Sequence, residues 1–199
     1  VQENHRRALK YYCDNPARAS EVAREFVQSK IDGIATYERS YTELQQKNKI
    51  TVAIDNMKKI ISIFPSSDDE YRFLSGGEWG APIVDSQIEE IWNLVQNVDE
   101  KKYQVIVRMH PNMYGLSKKI IHQYLLIERV FEHCSVLLPE DSSSTYTLID
   151  KSYCVICFCS TVSVEANYLR KYVINIGGTP YYNLPISNYV DSGVNAASL

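Results

Sequence analysis

From about residue 58 onward the chain alternates two patterns. Short apolar runs occupy residues 60–64, 103–109, 135–138, 153–158 and 172–176. Between them lie stretches whose apolar positions recur every three or four residues, at 86–98, 117–133, 145–151 and 162–169. Runs of this length predict buried strands, and the intervening spacing predicts amphipathic helices. Strict alternation of strand and helix calls for a parallel sheet with helices on both faces, because a parallel neighbour needs a crossover long enough to hold a helix. The fold class is therefore α/β, a Rossmann-like parallel sheet with flanking helices.

The first 48 residues read differently: polar and helical. Asp14 or Asn15 can cap a helix opened by Pro16, and Ala19, Val22, Ala23, Phe26 and Val27 keep helical spacing up to about Ile31. Gly33 interrupts it, and a further helix is predicted over residues 34–46, ending in the polar connector 45–49. The expected organisation is a helical segment, 1–48, followed by a Rossmann-like domain, 49–199. A chain of 199 residues accommodates one substantial domain with such an appendage.

Open parallel sheets bind ligands beyond the carboxyl ends of their strands. The polar clusters fall there. Pro65, Ser66, Ser67, Asp68, Asp69 and Glu70 follow the first strand, and His110, Pro111 and Asn112 follow the second. Glu140, Asp141, Ser142, Ser143 and Ser144 follow the third, and Ser160 and Thr161 the fourth.

Each cluster has a chemical reading beside a structural one. Ser160 and Thr161 stand between a strand and a helix, where hydroxyls and amides can hold an anion or simply cap the helix. His110 opens a loop after Arg108, with Pro111 fixing the turn; it can donate to a phosphate, or be an ordinary strand-end residue. Glu140 or Asp141 can accept from ribose hydroxyls or form a solvated acidic turn, and Ser143 and Ser144 can cap the next helix. Glu70 and Glu165 are further acidic candidates, Glu165 lying in a first helical turn where negative charge is favourable anyway. Gly76 and Gly77 do not form a glycine-rich phosphate loop at a strand-to-helix junction. No metal-ligand spacing appears, so no metal is expected.

Net charge of -3 supplies no basic field for a nucleic-acid backbone, whereas a small anion needs only local donors. No apolar run approaches the roughly 20 residues of a membrane span, and no apolar stretch follows Arg6 and Arg7, so a soluble, cytoplasmic protein without a signal peptide is expected. Of the five cysteines, Cys154, Cys157 and Cys159 lie in one apolar run. Strand geometry would put Cys157 and Cys159 on one face and Cys154 on the other, as packing residues.

Taken together, residues 64–71, Asp85-x-Gln87, residues 106–112, residues 138–150 and residues 160–166 resemble the capsular polysaccharide biosynthesis family, over residues 60–185. Those proteins are GT-B glycosyltransferases related to bacterial Kdo transferases and, more distantly, sialyltransferases. The resemblance implies metal-independent transfer from a nucleotide sugar, CMP-Kdo being the favoured donor, with no further cofactor. It implies that His110, Pro111 and Asn112 meet the nucleotide, Ser160 and Thr161 the phosphate, and Glu140 or Asp141 the ribose, with Ser143 and Ser144 nearby. Ser66, Ser67, Glu70, Arg108 and Glu165 would line the cleft. The catalytic base is expected from a separate N-terminal domain, the acceptor to be a glycan or glycolipid, and the location the inner membrane face or an assembly complex. Two other readings are a non-catalytic nucleotide-binding or scaffolding module and a CDP-polyol phosphotransferase-like domain; a sugar-nucleotide epimerase would prefer UDP.

Overall fold

The computed structural model describes residues 2–34, 42, 44–67, 86–115, 118–179, 181–182 and 187–199. The chain forms two compact units, Val1–Leu44 and Gln45–Leu199.

The first unit holds α1 (Gln2–Asp14) and α2 (Pro16–Ile31). Pro16 opens α2 as predicted, since its missing N–H costs nothing in a first turn. Gly33 closes it in the left-handed region, φ 71°, with its N–H donating to the Lys30 carbonyl. The further helix expected over 34–46 is not formed at Ile34, Thr42 or Leu44–Gln46; its other positions lie outside the described residues. Within the second unit, Gln46 instead forms a parallel bridge with Ser143, and its N–H donates to the Ser142 carbonyl at 2.9 Å. Pairing with a distant strand-like segment replaces the local helical bonds.

The second unit is the expected parallel sheet. Its strands are β1 (Lys59–Phe64), β2 (Tyr103–Arg108), β3 (Cys134–Leu137), β4 (Ser152–Cys157), β5 (Tyr172–Ile176) and β6 (Asn188–Val190), all parallel, in the order β3-β2-β1-β4-β5-β6. The helices are α3 (Gln87–Asn97), α4 (Lys118–Val130), α5 (Thr145–Lys151), α6 (Val162–Tyr168) and α7 (Gly193–Ala197). The α4 helix stops short of the predicted 133. Its continuation would remove the His133 carbonyl that accepts from Val105 N–H at 2.8 Å and starts the β2–β3 ladder.

Both faces of the sheet are buried, which is why the strands read as unbroken apolar runs. One face, with Ile61, Ile63, Val105, Val107, Ile156 and Ile174, packs on α3, α4 and α7. The other, with Ile60, Phe64, Ile106, Val155 and Val173, packs on α5 and α6 and on Ile50, Val52 and Ile54. At the α3–α7 contact a Cβ on Gly193 would lie 2.0 Å from the Glu90 carbonyl oxygen, so only glycine lets these backbones touch.

One cysteine reading is corrected. Cys157 packs in the second core cluster, whereas Cys159 joins Cys154 in the first. The strand ends at Cys157, and Cys159 has left-handed backbone, φ 52°, which breaks the two-residue alternation. Burial pushes the Cys154 thiol up to about 12, and burial, then the Glu165 carboxylate and Cys154, push Cys157 far above its ordinary range. These thiols stay protonated and act as packing groups. Among the described residues no helix is long and apolar enough to cross a membrane.

Candidate functional site

The strand order 3-2-1-4-5-6 reverses between β1 and β4, and doubly wound sheets bind nucleotides in the crevice at that reversal. The loops leaving β1 and β4 meet there. The last β1–β4 ladder pair is Phe64–Cys157. Beyond it Phe158 N–H donates to the Phe64 carbonyl at 3.1 Å, and the Ser66 hydroxyl donates to the Phe158 carbonyl at 2.7 Å. Ser66 and Ser67 are both buried, so the first residues after β1 pack into the crevice wall.

On the β4 side Ser160 is buried and Thr161 exposed. The Ser160 hydroxyl accepts from Val162 N–H at 3.3 Å. Thr161 makes no side-chain capping bond, and the residue is exposed. Behind them, the hydroxyl of Ser163 is fully buried with no hydrogen-bond partner. Glu165, 4% exposed, accepts from the Tyr146 hydroxyl at 2.7 Å, which ties α6 to α5.

The β2 loop turns through a short 3-10 helix, Pro111–Met113, capped by His110. His110 Nδ1 accepts from Asn112 N–H at 3.1 Å, so the neutral ring carries its proton on Nε2, and that nitrogen is a donor in either protonation state. Asn112 is half-buried, and its backbone sets this tautomer. Arg108, 3% exposed, donates to the carbonyls of Leu138 at 2.7 Å and Asp141 at 2.9 Å. Burial lowers its pKa, against the opposing pull of the Asp141 and Glu140 carboxylates. Its guanidinium therefore braces the β3 loop.

In that loop Asp141 accepts from Ser143 N–H and from the Thr51 hydroxyl, both at 2.7 Å. Burial opposes its ionisation, yet the hydrogen bonds from Ser143 and Thr51 and the Arg108 cation together hold its carboxyl below the ordinary range. Ser143 accepts from Thr51 N–H at 2.9 Å, and Ser144 caps α5 by accepting from Thr147 N–H at 3.1 Å. Glu140 remains exposed on the rim. Of the predicted residues, Ser66, Ser67, His110, Pro111, Asn112, Glu140, Asp141, Ser143, Ser144, Ser160 and Thr161 all sit in loops leaving the carboxyl ends of β1 to β4, with Arg108 the last residue of β2 and Glu165 just behind on α6. Glu70, Asp85 and the Gly76-Gly77 pair lie outside the described residues.

A family model described as capsule polysaccharide biosynthesis protein matches residues 15–186. The chain belongs to that family. Among solved structures, the domain is similar to the KpsC beta Kdo 2,4 transferase of Thermosulfurimonas dismutans, at 14% identity and TM-score 0.55, over 88% of this chain and 50% of that one. It is also similar to a putative UDP-N-acetylglucosamine 2-epimerase from Listeria monocytogenes, at 15% identity and TM-score 0.54, over 80% of this chain and 41% of that one. At such identities the likeness is one of fold, and the chain spans half the length of the first structure and less of the second. None of the curated proteins matches.

In this capsule polysaccharide biosynthesis family member, the residues that pattern reading passed over are the ones that hold the rim together. Gln87 was visible only as part of a motif; it is 1% exposed and shares the buried face of α3 with Ile91, Leu94 and Val95. A polar residue at an apolar helical position was the available signal. Thr51 and Tyr146 gave none, since their partners lie far away in sequence. A separate cavity of about 510 Å³, lined by Ile61, Leu94, Tyr103, Tyr153, Tyr172 and Ile174 among others, opens at the amino-terminal end of the strands, and none of the described site residues lines it.

Proposed function

We propose that the carboxyl-end rim holds the nucleotide of an activated sugar, and that this domain provides donor binding for a metal-independent GT-B glycosyltransferase of capsule or lipopolysaccharide synthesis. The observation that carries this reading is the reversal of strand order between β1 and β4, with polar loops collected at that edge. The donor is a CMP-linked sugar such as CMP-Kdo, and the acceptor a glycan or glycolipid presented at the inner membrane face.

The local geometry is compatible with each of the roles that the family resemblance implies. His110 donates through Nε2 to the phosphate without needing a positive charge, with Pro111 and Asn112 setting its angle. Thr161, whose hydroxyl is not spent on capping, and the Ser160 turn receive the phosphate oxygens. Glu140 is assigned to the ribose in preference to Asp141, whose carboxylate is occupied by Ser143 and Thr51. When the sugar departs, the phosphate gains negative charge, and donors already fixed in place stabilise it without reorganising.

Calorimetric titration with CMP, CDP, UDP and GDP tests the reading. CMP should bind best, and both His110→Ala and the paired change Ser160→Ala, Thr161→Ala should weaken it by on the order of 1 to 3 kcal/mol. No binding at millimolar concentration, or unchanged affinity in both variants, overturns it.

A further inference from the structure

The turn that carries Ser160 and Thr161 contains a backbone conformation that its residue does not favour. Cys159 has φ 52°, in the left-handed region, where an L side chain crowds its own carbonyl. Such a conformation persists only where neighbouring groups hold it.

What holds it can be followed bond by bond. The residue before Cys159 is held at both its backbone groups: Phe158 N–H donates to the Phe64 carbonyl at 3.1 Å, and the Phe158 carbonyl, which belongs to the peptide entering Cys159, accepts from the Ser66 hydroxyl at 2.7 Å. Ser66 lies past the end of the β1–β4 ladder, so among the described residues no strand neighbour fixes its own backbone. Gln87 takes that part. Its Oε1 accepts from Ser66 N–H at 3.0 Å, and its Nε2 donates to the Ser66 carbonyl at 3.2 Å. A side-chain amide thus imitates a strand edge. Burying an amide on an apolar helix face is unfavourable unless both its groups are paired, and here both engage one residue.

We infer that Gln87 and Ser66 are positioning residues: together they form a latch that holds the Cys159 turn in its left-handed form and so sets Ser160 and Thr161 for ligand. The latch touches no ligand itself. This inference rests on the nucleotide reading of the rim.

The test is CMP titration of the full chain carrying Gln87→Met, Ser66→Ala, both together, and Ser66→Ala with Cys159→Gly. Each single change should weaken CMP about tenfold, the scale of one lost buried hydrogen bond. Because both act through one turn, the double change should also give about tenfold rather than a hundredfold loss. Glycine adopts the left-handed region without crowding, so adding Cys159→Gly to Ser66→Ala should recover most of the affinity. A merely structural role gives no such rescue.

CMP affinity unchanged in both single variants, multiplied losses, or no recovery with glycine overturns the latch alone. Absence of CMP binding by the unaltered chain overturns the nucleotide reading and the latch with it. Should Gln87→Met fail to fold, Ser66→Ala and its glycine rescue decide the matter.

Discussion

The two ends of the same six strands commit their polar side chains to different degrees. At the carboxyl end, polar groups are buried and mutually committed: Gln87 with Ser66, Arg108 with the Leu138 and Asp141 carbonyls, Ser143 with Thr51. At the amino end, Tyr153 and Tyr172 are exposed, Met57 is 92% exposed, and the ion pairs Lys58–Asp55 and Lys102–Asp99 lie at the surface. Exposed pairs contribute little, because water and salt screen them and their side chains lose freedom in pairing. Buried polar groups are costly when unpaired, so these bonds resist any loop movement that would break them, although Arg108 Nε and the Ser163 hydroxyl lie buried without a partner. The amino end has a smaller share of such groups, chiefly the buried Gln104 amide, which accepts from Asp55 N–H at 3.0 Å and donates to the Ala53 carbonyl at 2.7 Å. The cavity at the amino end is lined by Asn97, Asp99 and Lys102 as well as by apolar side chains.

The contrast breaks most readily at Arg108. Arg108→Met leaves the Leu138 and Asp141 carbonyls without their donor inside the protein, and should lower stability by about 3 kcal/mol in chemical denaturation. A loss under about 1 kcal/mol would mean that the β3 loop holds itself without the brace.

A smaller effect is expected at Asp141. Its folded-state pKa is depressed, so the folded chain binds the proton less readily than the unfolded one. The stability it contributes is complete above the ordinary aspartate pKa of about 3.9 and is lost as pH falls through the lower folded value. Asp141→Asn should cost about 1 kcal/mol near neutrality and flatten the decline of stability below about pH 4. An unchanged acid limb in urea titrations across that range would remove Asp141 from the network.

The smallest effect belongs to the other end. Lys59 lies over the Tyr153 ring, 4.1 Å from its centroid. Tyr153→Ser removes that contact and should cost about 0.5 to 1 kcal/mol, with no change in nucleotide affinity. A change in affinity would show that the two ends are coupled, and would end the distinction drawn between them.

Much of the fold was legible because its signals are local. Tyr172–Ile176 and Thr145–Lys151 have the boundaries that the apolar spacing predicts, and the first four strands fall within a residue of them. Asn188–Val190 and Gly193–Ala197 were not foreseen, being too short to show a period. The candidate rim was legible as a set of loops, since strand order in sequence dictates which segments leave the carboxyl ends. The duties of its residues were not. Ser66, Arg108, Asp141, Ser143 and Ser144 looked alike as polar rim residues, yet each spends side-chain groups on bonds inside the protein.

Hydrophobic periodicity and the alternation of elements by themselves determined a parallel α/β sheet with its polar loops on one edge, because burial of both sheet faces leaves its mark on every strand. Only the tertiary structure decided that Cys159 turns left-handed, that Gln87 supplies a missing strand edge to Ser66, and that Asp141 answers to Thr51. Those choices depend on hydrogen bonds between residues far apart in the chain, and such partners become neighbours only after the core has formed.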